Sequence, residues 1–192
     1  MRIALLGLGL IGGSVARALR DPGRRDGAEA WSVVAWTPNG RGPAEALQDG
    51  VIDDSAATAE AAIEGADLVV LAGPAPDCVA QLDDLAGPWR RVLAPDAVIT
   101  DVASTKAAIV LRATALGLRF VGGHPMAGRE TSGYGASSPD LFVGRPWVVV
   151  PTSEADTRAV ARVEQLAVAC GAHPVRLGAA AHDRAVAGIS HL

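Results

Sequence analysis

Cysteine is scarce in this chain, and the two cysteines that occur are far apart. Cys78 and Cys170 lie in apolar stretches with helical spacing, and no C-x-x-C pair is present. Disulfide frameworks and zinc sites need closely spaced cysteines. Motifs of metalloproteases, serine hydrolases and P-loop NTPases are absent as well. We therefore expect no disulfide and no metal site, and the composition fits a reducing, cytoplasmic location.

Basic clusters and long apolar runs are also missing. The formal net charge is -4 at pH 7, and the pairs Arg24-Arg25 and Arg90-Arg91 stand alone without interleaved aromatic residues. This composition argues against a nucleic-acid surface. No apolar run approaches the roughly 20 residues that a membrane helix needs. Because the first predicted strand starts almost at Met1, we also expect no signal peptide and a soluble protein.

Glycine, in contrast, is abundant near the start of the chain. The apolar run from Ile3 to Leu6 is followed by Gly7-Leu8-Gly9-Leu10-Ile11-Gly12 and then by a helical pattern that reaches Arg20. In a G-x-G-x-x-G turn the first glycine permits the turn, the second lets the backbone approach a pyrophosphate, and the third lets the helix pack on the strand. The alternative is a glycine-rich turn without a ligand, but the setting between strand and helix favours dinucleotide binding.

Apolar strands alternate with helices along the rest of the chain. We predict strands at 31–36, 67–71, 97–100, 119–121, 147–150 and 173–176, and helices at 44–48, 57–64, 77–85, 105–115, 152–169 and from 179 onward. This alternation predicts an α/β fold with a doubly wound, mostly parallel sheet of the Rossmann type. We assign residues 1–178 to this dinucleotide-binding domain.

Ligands collect at the carboxyl ends of the strands in such a sheet. Besides the glycine turn, three stretches fall there: Ala72-Gly73-Pro74, Asp101 to Lys106, and a loop from Gly122 to Arg145. This loop is rich in Gly, Ser and Pro and too long for a simple connection, which is typical of a functional loop.

Ser104 and Lys106 lie at one of these strand ends. We predict Ser104 as the N-cap of the helix 105–115, a place where its hydroxyl could also touch a nicotinamide or a substrate oxygen. Lys106 is the only lysine among 17 basic residues. Two interpretations of this single lysine are open: a site that requires it, or chance.

His124 is the strongest candidate for chemistry. It follows a predicted strand and is flanked by Gly123 and Pro125, so we expect it on a rigid loop at the crevice rim, where an imidazole can act as a general base near neutral pH. The alternative is a surface-loop histidine without a ligand. The other histidines are weaker candidates, because one lies in or beside a strand and two are spaced onto opposite faces of a helix: His173, His182 and His191.

Four stretches of the chain carry a family resemblance. They are Gly7 to Ser14, Asp101 to Lys106, Gly123 to Glu130 with its His-Pro-Met-Ala-Gly segment, and the terminal segment from His182-Asp183 to Ser190-His191-Leu192. In this order they resemble the nucleotide-binding half of prephenate dehydrogenases and arogenate dehydrogenases. The first stretch is common to many dehydrogenases, whereas the His-Pro-Met-Ala-Gly stretch is specific.

The resemblance implies an NAD(P)-dependent oxidoreductase of tyrosine biosynthesis. Its reaction is the oxidative decarboxylation of prephenate or arogenate to 4-hydroxyphenylpyruvate or tyrosine, with hydride transfer to the nicotinamide. His124 is then expected to accept the hydroxyl proton, Ser104 to orient that hydroxyl and the nicotinamide, and Lys106 to supply a more distant charge. The predicted cofactor-binding set is Gly7, Leu8, Gly9, Leu10, Ile11, Gly12, Thr37, Arg41, Ala72, Gly73, Pro74 and Ser104.

The chain departs from the expected pattern in two places. An NAD-preferring site carries Asp or Glu at the end of the second strand, whereas this sequence has Thr37, with Arg41 close behind. We therefore expect NADP, or else NAD. The family also carries a helical dimerisation domain, so we expect residues 179–192 to begin such a domain, a homodimer in the longer protein, and cofactor binding with little turnover by residues 1–192 alone.

Two other functions fit parts of the sequence. A β-hydroxyacid-type dehydrogenase shares the fold, but a catalytic lysine on a later helix marks that class and is missing here. A non-catalytic dinucleotide-binding module would bind a cofactor without turnover.

Overall fold

Five parallel strands form the centre of the fold. The computed structural model describes residues 1–24, 31–152 and 156–189. The strands are β1 (Arg2–Leu6), β2 (Ser32–Trp36), β3 (Asp54–Ser55), β4 (Leu68–Leu71) and β5 (Val98–Asp101). They pair in the order β3-β2-β1-β4-β5. Every residue of β4 and β5 is buried, as expected for continuous apolar strands covered on both faces.

Three more strands continue beyond β5. They are β6 (Val121–Pro125), β7 (Pro146–Pro151) and β8 (His173–Arg176), with β7 antiparallel to β6 and parallel to β8. Phe120, just before β6, pairs in parallel with Ile99 of β5. The predicted α/β fold with a mostly parallel sheet is therefore confirmed.

Helices cover both faces of this sheet. They are α1 (Leu10–Arg20), α2 (Arg41–Gln48), α3 (Ala59–Ile63), α4 (Ala75–Ala86), α5 (Ala107–Ala115), α6 (Thr157–Ala169) and α7 (Ala179–Ile189). Val15 of α1 and Val163 of α6 belong to one apolar core, whereas Ile63, Leu82 and Ile109 from α3, α4 and α5 belong to the other. A core on each face is what double winding of the sheet requires.

The prediction of a loop from Gly122 is wrong at its start. Residues 122–125 lie in β6 and pair with β7, so His124 sits inside a strand, opposite Val148. Glycine and proline are poor strand formers, and the long-range pairing with β7 outweighs this local preference. The connection from β6 to β7 also contains a short 3₁₀ turn at Tyr134–Ala136.

The prediction of Ser104 as a helix cap is also wrong. Helix α5 begins at Ala107, and the exposed Ser104 lies before it. The backbone N–H groups of Lys106 and Ala107 instead donate to the carboxylate of Asp183 in α7, at 2.8 and 2.9 Å. A capping group so distant along the chain leaves no local signal in the sequence.

Helix α6 begins later than predicted, at Thr157 rather than at 152. Its N-cap is Asp156, whose side chain accepts from the Ala159 N–H at 2.8 Å. Parts of two predictions lie outside the described residues: the helix start at 153–155 and the terminal stretch 190–192.

The described residues contain neither a membrane-spanning helix nor a cluster of metal ligands. No helix among them is long and apolar enough to cross a membrane. Within the same ranges, no three His, Cys, Asp or Glu side chains are grouped so that they could hold a metal ion.

Candidate active site

The glycine turn after β1 leaves room for a ligand at one position only. Gly7 has a φ of 117°, and a Cβ there would lie 2.6 Å from the carbonyl carbon of Ala72. A Cβ at Gly12 would lie 2.3 Å from the Gly7 oxygen, whereas a Cβ at Gly9 would meet nothing within 4 Å. Gly7 and Gly12 therefore close the turn against the sheet, and Gly9 leaves an open approach to the backbone.

Helix α1 points its free N–H groups at this approach. Gly9 is the N-cap, and no side chain caps the helix, so the N–H groups of the first turn remain open to an anion such as a pyrophosphate. Ala72, at the end of β4, borders the turn, because its N–H donates to the Leu6 carbonyl at 2.8 Å. The stretches predicted around Gly7 and around Ala72 to Pro74 thus lie side by side.

A cavity of about 520 Å³ opens beside the turn at the end of β2. Leu8, Gly9, Thr37 and Arg41 line it, so the structure brings four of the predicted cofactor-binding residues together, with Glu45 one helical turn beyond Arg41. Leu10 and Ile11, by contrast, pack against the core, which leaves their backbone as the part that can face a ligand.

The cavity wall also contains Tyr134, which sequence reasoning missed. Its hydroxyl donates to Asp49 at 2.9 Å, and the Arg17 guanidinium lies 4.6 Å from its ring centroid and 2.9 Å from the same carboxylate. Burial, followed by the Asp49 hydrogen bond, raises the pKa of Tyr134 to about 12, so the phenol keeps its proton. The connection from β6 to β7 is thereby fastened to α1. Its signal in the sequence is slight: Tyr134 is the chain's one tyrosine, between two glycines.

His124 is joined to a second histidine that sequence reasoning ranked low. Its Nδ1 lies 2.8 Å from Nε2 of His182 in α7, and the rings meet edge to face with centroids 5.0 Å apart. His182 is 1% exposed, and its Nδ1 lies 2.7 Å from Oδ1 of Asp183. The adjacent His182-Asp183 pair belongs to one of the four stretches that carry the family resemblance, but the sequence analysis gave it no part in the chemistry.

The surroundings of His124 favour its neutral form. Burial is the largest cause, and the neighbouring His182 and Lys106 add to it, so the pKa of His124 falls to about 4, while Asp183 acts in the opposite direction. A histidine with an ordinary pKa near 6.5 is partly protonated at neutral pH. His124 therefore has its proton-accepting form fully populated at pH 7.

Lys106 is fully buried, and so is its partner. The Lys106 ammonium contacts Oδ2 of Asp101, and the N–H groups of Ala103 and Gly123 donate to the same carboxyl group at 3.0 and 3.1 Å. Burial raises the pKa of the Asp101 carboxyl, and these donors, Lys106 first, oppose the rise. Because Lys106 has no exposed surface, it can influence the crevice only through its charge and through the strand that carries His124.

Ser104 is exposed between β5 and α5. It lies two residues from the buried Lys106, on the connection that leaves the carboxyl end of β5. Because Ser104 does not cap α5, its hydroxyl is available to a ligand. Its assignment to substrate and nicotinamide stays a prediction.

Comparison with known proteins shows the family to which this chain belongs. Residues 15–176 match the family model described as prephenate dehydrogenase, nucleotide-binding domain. A prephenate dehydrogenase from Bacillus subtilis is 34% identical over 98% of this chain and 50% of its own length. The chain spans 48–62% of the length of the curated relatives that it matches.

Solved structures of the same family have the same fold. Synechocystis arogenate dehydrogenase has a TM-score of 0.88 and 32% identity, over 100% of this chain and 64% of that one. Prephenate dehydrogenase from A. aeolicus in complex with hydroxyphenyl propionate and NAD+ has a TM-score of 0.82 and 28% identity, over 96% of this chain and 62% of that one. The chain therefore belongs to the prephenate dehydrogenase family, whose nucleotide-binding domain it contains.

Proposed function

We propose that the protein containing this chain carries out the oxidative decarboxylation of prephenate or arogenate with NADP or NAD. The observation that carries the proposal is His124: a half-buried, neutral imidazole on β6, in a domain whose glycine turn leaves Gly9 open to a pyrophosphate. Hydride loss from the carbon that bears the hydroxyl needs a base for the hydroxyl proton. His124 is suited to that role.

The chain's own residues divide this work. The N–H groups at the start of α1 bind the pyrophosphate, and the cavity between Thr37 and Tyr134 takes the adenosine end. His124 takes the hydroxyl proton, and Ser104 orients that hydroxyl. The bound dinucleotide supplies the hydride acceptor, and the substrate loses carbon dioxide and becomes aromatic.

Catalysis is tested with both acids and both cofactors in the complete gene product. We expect saturable formation of reduced cofactor and release of carbon dioxide with one of the two acids. Cofactor binding without turnover of either acid would support the alternative of a non-catalytic binding module. Turnover of an unrelated β-hydroxy acid would support the alternative of a β-hydroxyacid-type dehydrogenase.

We propose NADP as the preferred cofactor. Thr37 places a hydroxyl at the end of β2, where a carboxylate would repel a 2′-phosphate, and it donates to Asn39 at 3.3 Å. Arg41 lines the same cavity, and its forked donors suit a phosphate. Glu45 is the one opposing charge among the residues that line this cavity.

The Arg41→Ala variant tests this preference. Because a hydrogen bond to a charged group contributes about 1.5–3 kcal/mol, we expect the Kd for NADP to rise about tenfold or more and the Kd for NAD to stay nearly constant. Arg90→Ala is the matched control, since Arg90 is exposed and lies away from this cavity. A clear NAD preference of the unmodified protein, or an equal loss for both cofactors, would contradict the proposal.

We further propose that residues 179–192 begin a helical second domain through which a homodimer forms. Helix α7 contacts the rest of the chain through His182 and Asp183, while Arg184, Ala185 and Ala187 are exposed. An exposed helix side with alanines offers a surface for further helices. Residues 190–192 of this predicted helix lie outside the described residues.

A further inference from the structure

We propose that His182 and Asp183 are positioning residues that keep the proton of His124 on Nδ1 and leave its Nε2 as the proton-accepting atom. The proposal rests on the proposed function for the role of His124 as a base. It assigns to helix α7 a part in the chemistry of the nucleotide-binding domain. A series of hydrogen bonds joins Asp183 through His182 to His124.

The series of hydrogen bonds starts at the ionised carboxylate of Asp183. Burial alone would raise the pKa of Asp183, but the N–H groups of Ala107 and Lys106, together with the His182 ring, hold it below its ordinary value. Both oxygens are engaged: Oδ1 accepts from Lys106 N–H and Oδ2 from Ala107 N–H. An ionised carboxylate only accepts hydrogen bonds. The contact between Asp183 Oδ1 and His182 Nδ1 at 2.7 Å therefore requires a proton on that nitrogen.

The position of the proton on His182 determines which nitrogen of His124 carries a proton. A neutral imidazole with a proton on Nδ1 has a lone pair on Nε2. His182 Nε2 lies 2.8 Å from His124 Nδ1, so it accepts and His124 Nδ1 donates. His124, neutral at pH 7, then carries its lone pair on Nε2, the nitrogen that no residue of this hydrogen-bonded chain contacts.

A hydrogen bond in the opposite direction, from His182 Nε2 to His124 Nδ1, is unfavourable here. For His124 Nδ1 to accept, His182 would need protons on both nitrogens and hence a positive charge. His182 is 1% exposed, so a positive ring would lose its hydration, and its counter-charge, the Asp183 carboxylate, already accepts from two backbone N–H groups. The buried Lys106 ammonium lies close enough to act on the same site, which adds to the cost of a second cation.

The fold makes this arrangement rigid. His124 is held in β6 by pairing with β7, and Asp183 caps α5 while it orients His182. One carboxylate thus ties the start of α5 to the proton on His124. A base held in one tautomer and one orientation loses less entropy on reaching the transition state.

The first test is the tautomeric state of the rings in the unmodified chain. Imidazole ¹⁵N NMR at pH 8, with His124→Asn to assign the signals, should place the protons of His124 and His182 on Nδ1. A proton on Nε2 of His124, or a doubly protonated His182, would overturn the proposal. This measurement needs no turnover, so it stands apart from the proposed reaction.

The second test compares two replacements of His182. His182→Gln keeps an amide oxygen that can accept from His124 Nδ1, whereas His182→Leu fills the buried space without an acceptor. We expect His182→Leu to mix the tautomers of His124 and to lower kcat about tenfold or more, while KM and the cofactor Kd stay nearly unchanged. His182→Gln should retain most of the kcat and most of the Nδ1-protonated tautomer of His124. An inverted tautomer costs more, about 10⁴-fold in kcat in the serine-protease triad. If His182 only packs, leucine will perform better than glutamine, and the proposal fails.

The third test separates helix capping from positioning. Asp183→Ala removes the cap of α5 together with the acceptor for His182, and Asp156→Ala removes only the cap of α6. Both should lower Tm, but only Asp183→Ala should release the proton of His182 from Nδ1. Equal NMR spectra of His182 in the two variants would contradict the proposal. If the tautomers are as expected and no acid is turned over, the proposed function fails and the tautomer assignment stands.

Discussion

Replacing His124 with asparagine is expected to lower kcat by a factor of about 100 or more, the lower end of what general base catalysis contributes. The variant keeps a polar side chain of similar reach on β6, so the sheet and the glycine turn should be unaffected. We therefore expect the Kd for the cofactor and Tm to stay nearly constant. Steady-state kinetics and cofactor titration of the same preparation measure both effects.

His173→Asn is the matched control for this variant. His173 is exposed in β8, two strands from β6, and its replacement should leave turnover unchanged. Loss of cofactor affinity together with kcat in His124→Asn would indicate a folding defect. Unchanged turnover in that variant would show that another group accepts the proton.

The expected pH profile of the unmodified protein follows from the same residue. Because burial lowers the pKa of His124 to about 4, the unprotonated base persists as the pH falls below 6.5, where an ordinary histidine gains its proton. The acid limb of log kcat/KM assigned to this base should therefore lie well below pH 6, since this limb reports the pKa of the free enzyme. An acid limb near pH 6.5 that disappears in His124→Asn would contradict the neutral, buried environment.

Adding one methyl group at Gly9 or at Gly12 should give two different defects. Gly9→Ala places a Cβ in open space at the helix start, where we expect a pyrophosphate to approach the backbone. The Kd for the cofactor should rise about tenfold or more, which corresponds to about 1.4 kcal/mol. Gly9 has a φ of -85° and an extended ψ of -150°, so alanine needs no left-handed backbone there, and Tm should change less than in Gly12→Ala.

Gly12→Ala should instead act mainly on stability. Its Cβ would lie 2.3 Å from the Gly7 oxygen and 3.2 Å from the Ala72 Cβ, and overpacking of this kind costs about 1–3 kcal/mol. We expect Tm to fall by several degrees, at about 2–4 °C per kcal/mol for a domain of this size. Thermal unfolding measures Tm of both variants, and cofactor titration measures their Kd for the cofactor. A larger Tm loss in Gly9→Ala than in Gly12→Ala would falsify the separate roles of the two glycines.

Local patterns in the sequence determined the fold class and half of the site. The apolar run of β1, the glycine turn and the helical spacing of α1 depend on neighbouring residues alone, which is why the strand, turn and helix could be predicted. Ligands bind at the carboxyl ends of parallel strands. This rule predicted that Ala72 lies beside Gly7, and that Thr37 and Arg41 lie at the same cofactor site. Each of these inferences needed only the order of strands and helices.

Pairing between distant segments decided the rest. Gly122 to Pro125 form a strand because β7 supplies hydrogen bonds that no local propensity reveals, and this pairing places His124 inside the sheet. Asp183 replaces Ser104 at the start of α5, and His182 meets His124, because α7 folds back on that helix end. Helical spacing places His182 on one side of α7, but only the packing of α7 against α5 brings that side to His124. The tertiary structure thereby gives the predicted base its orienting partners.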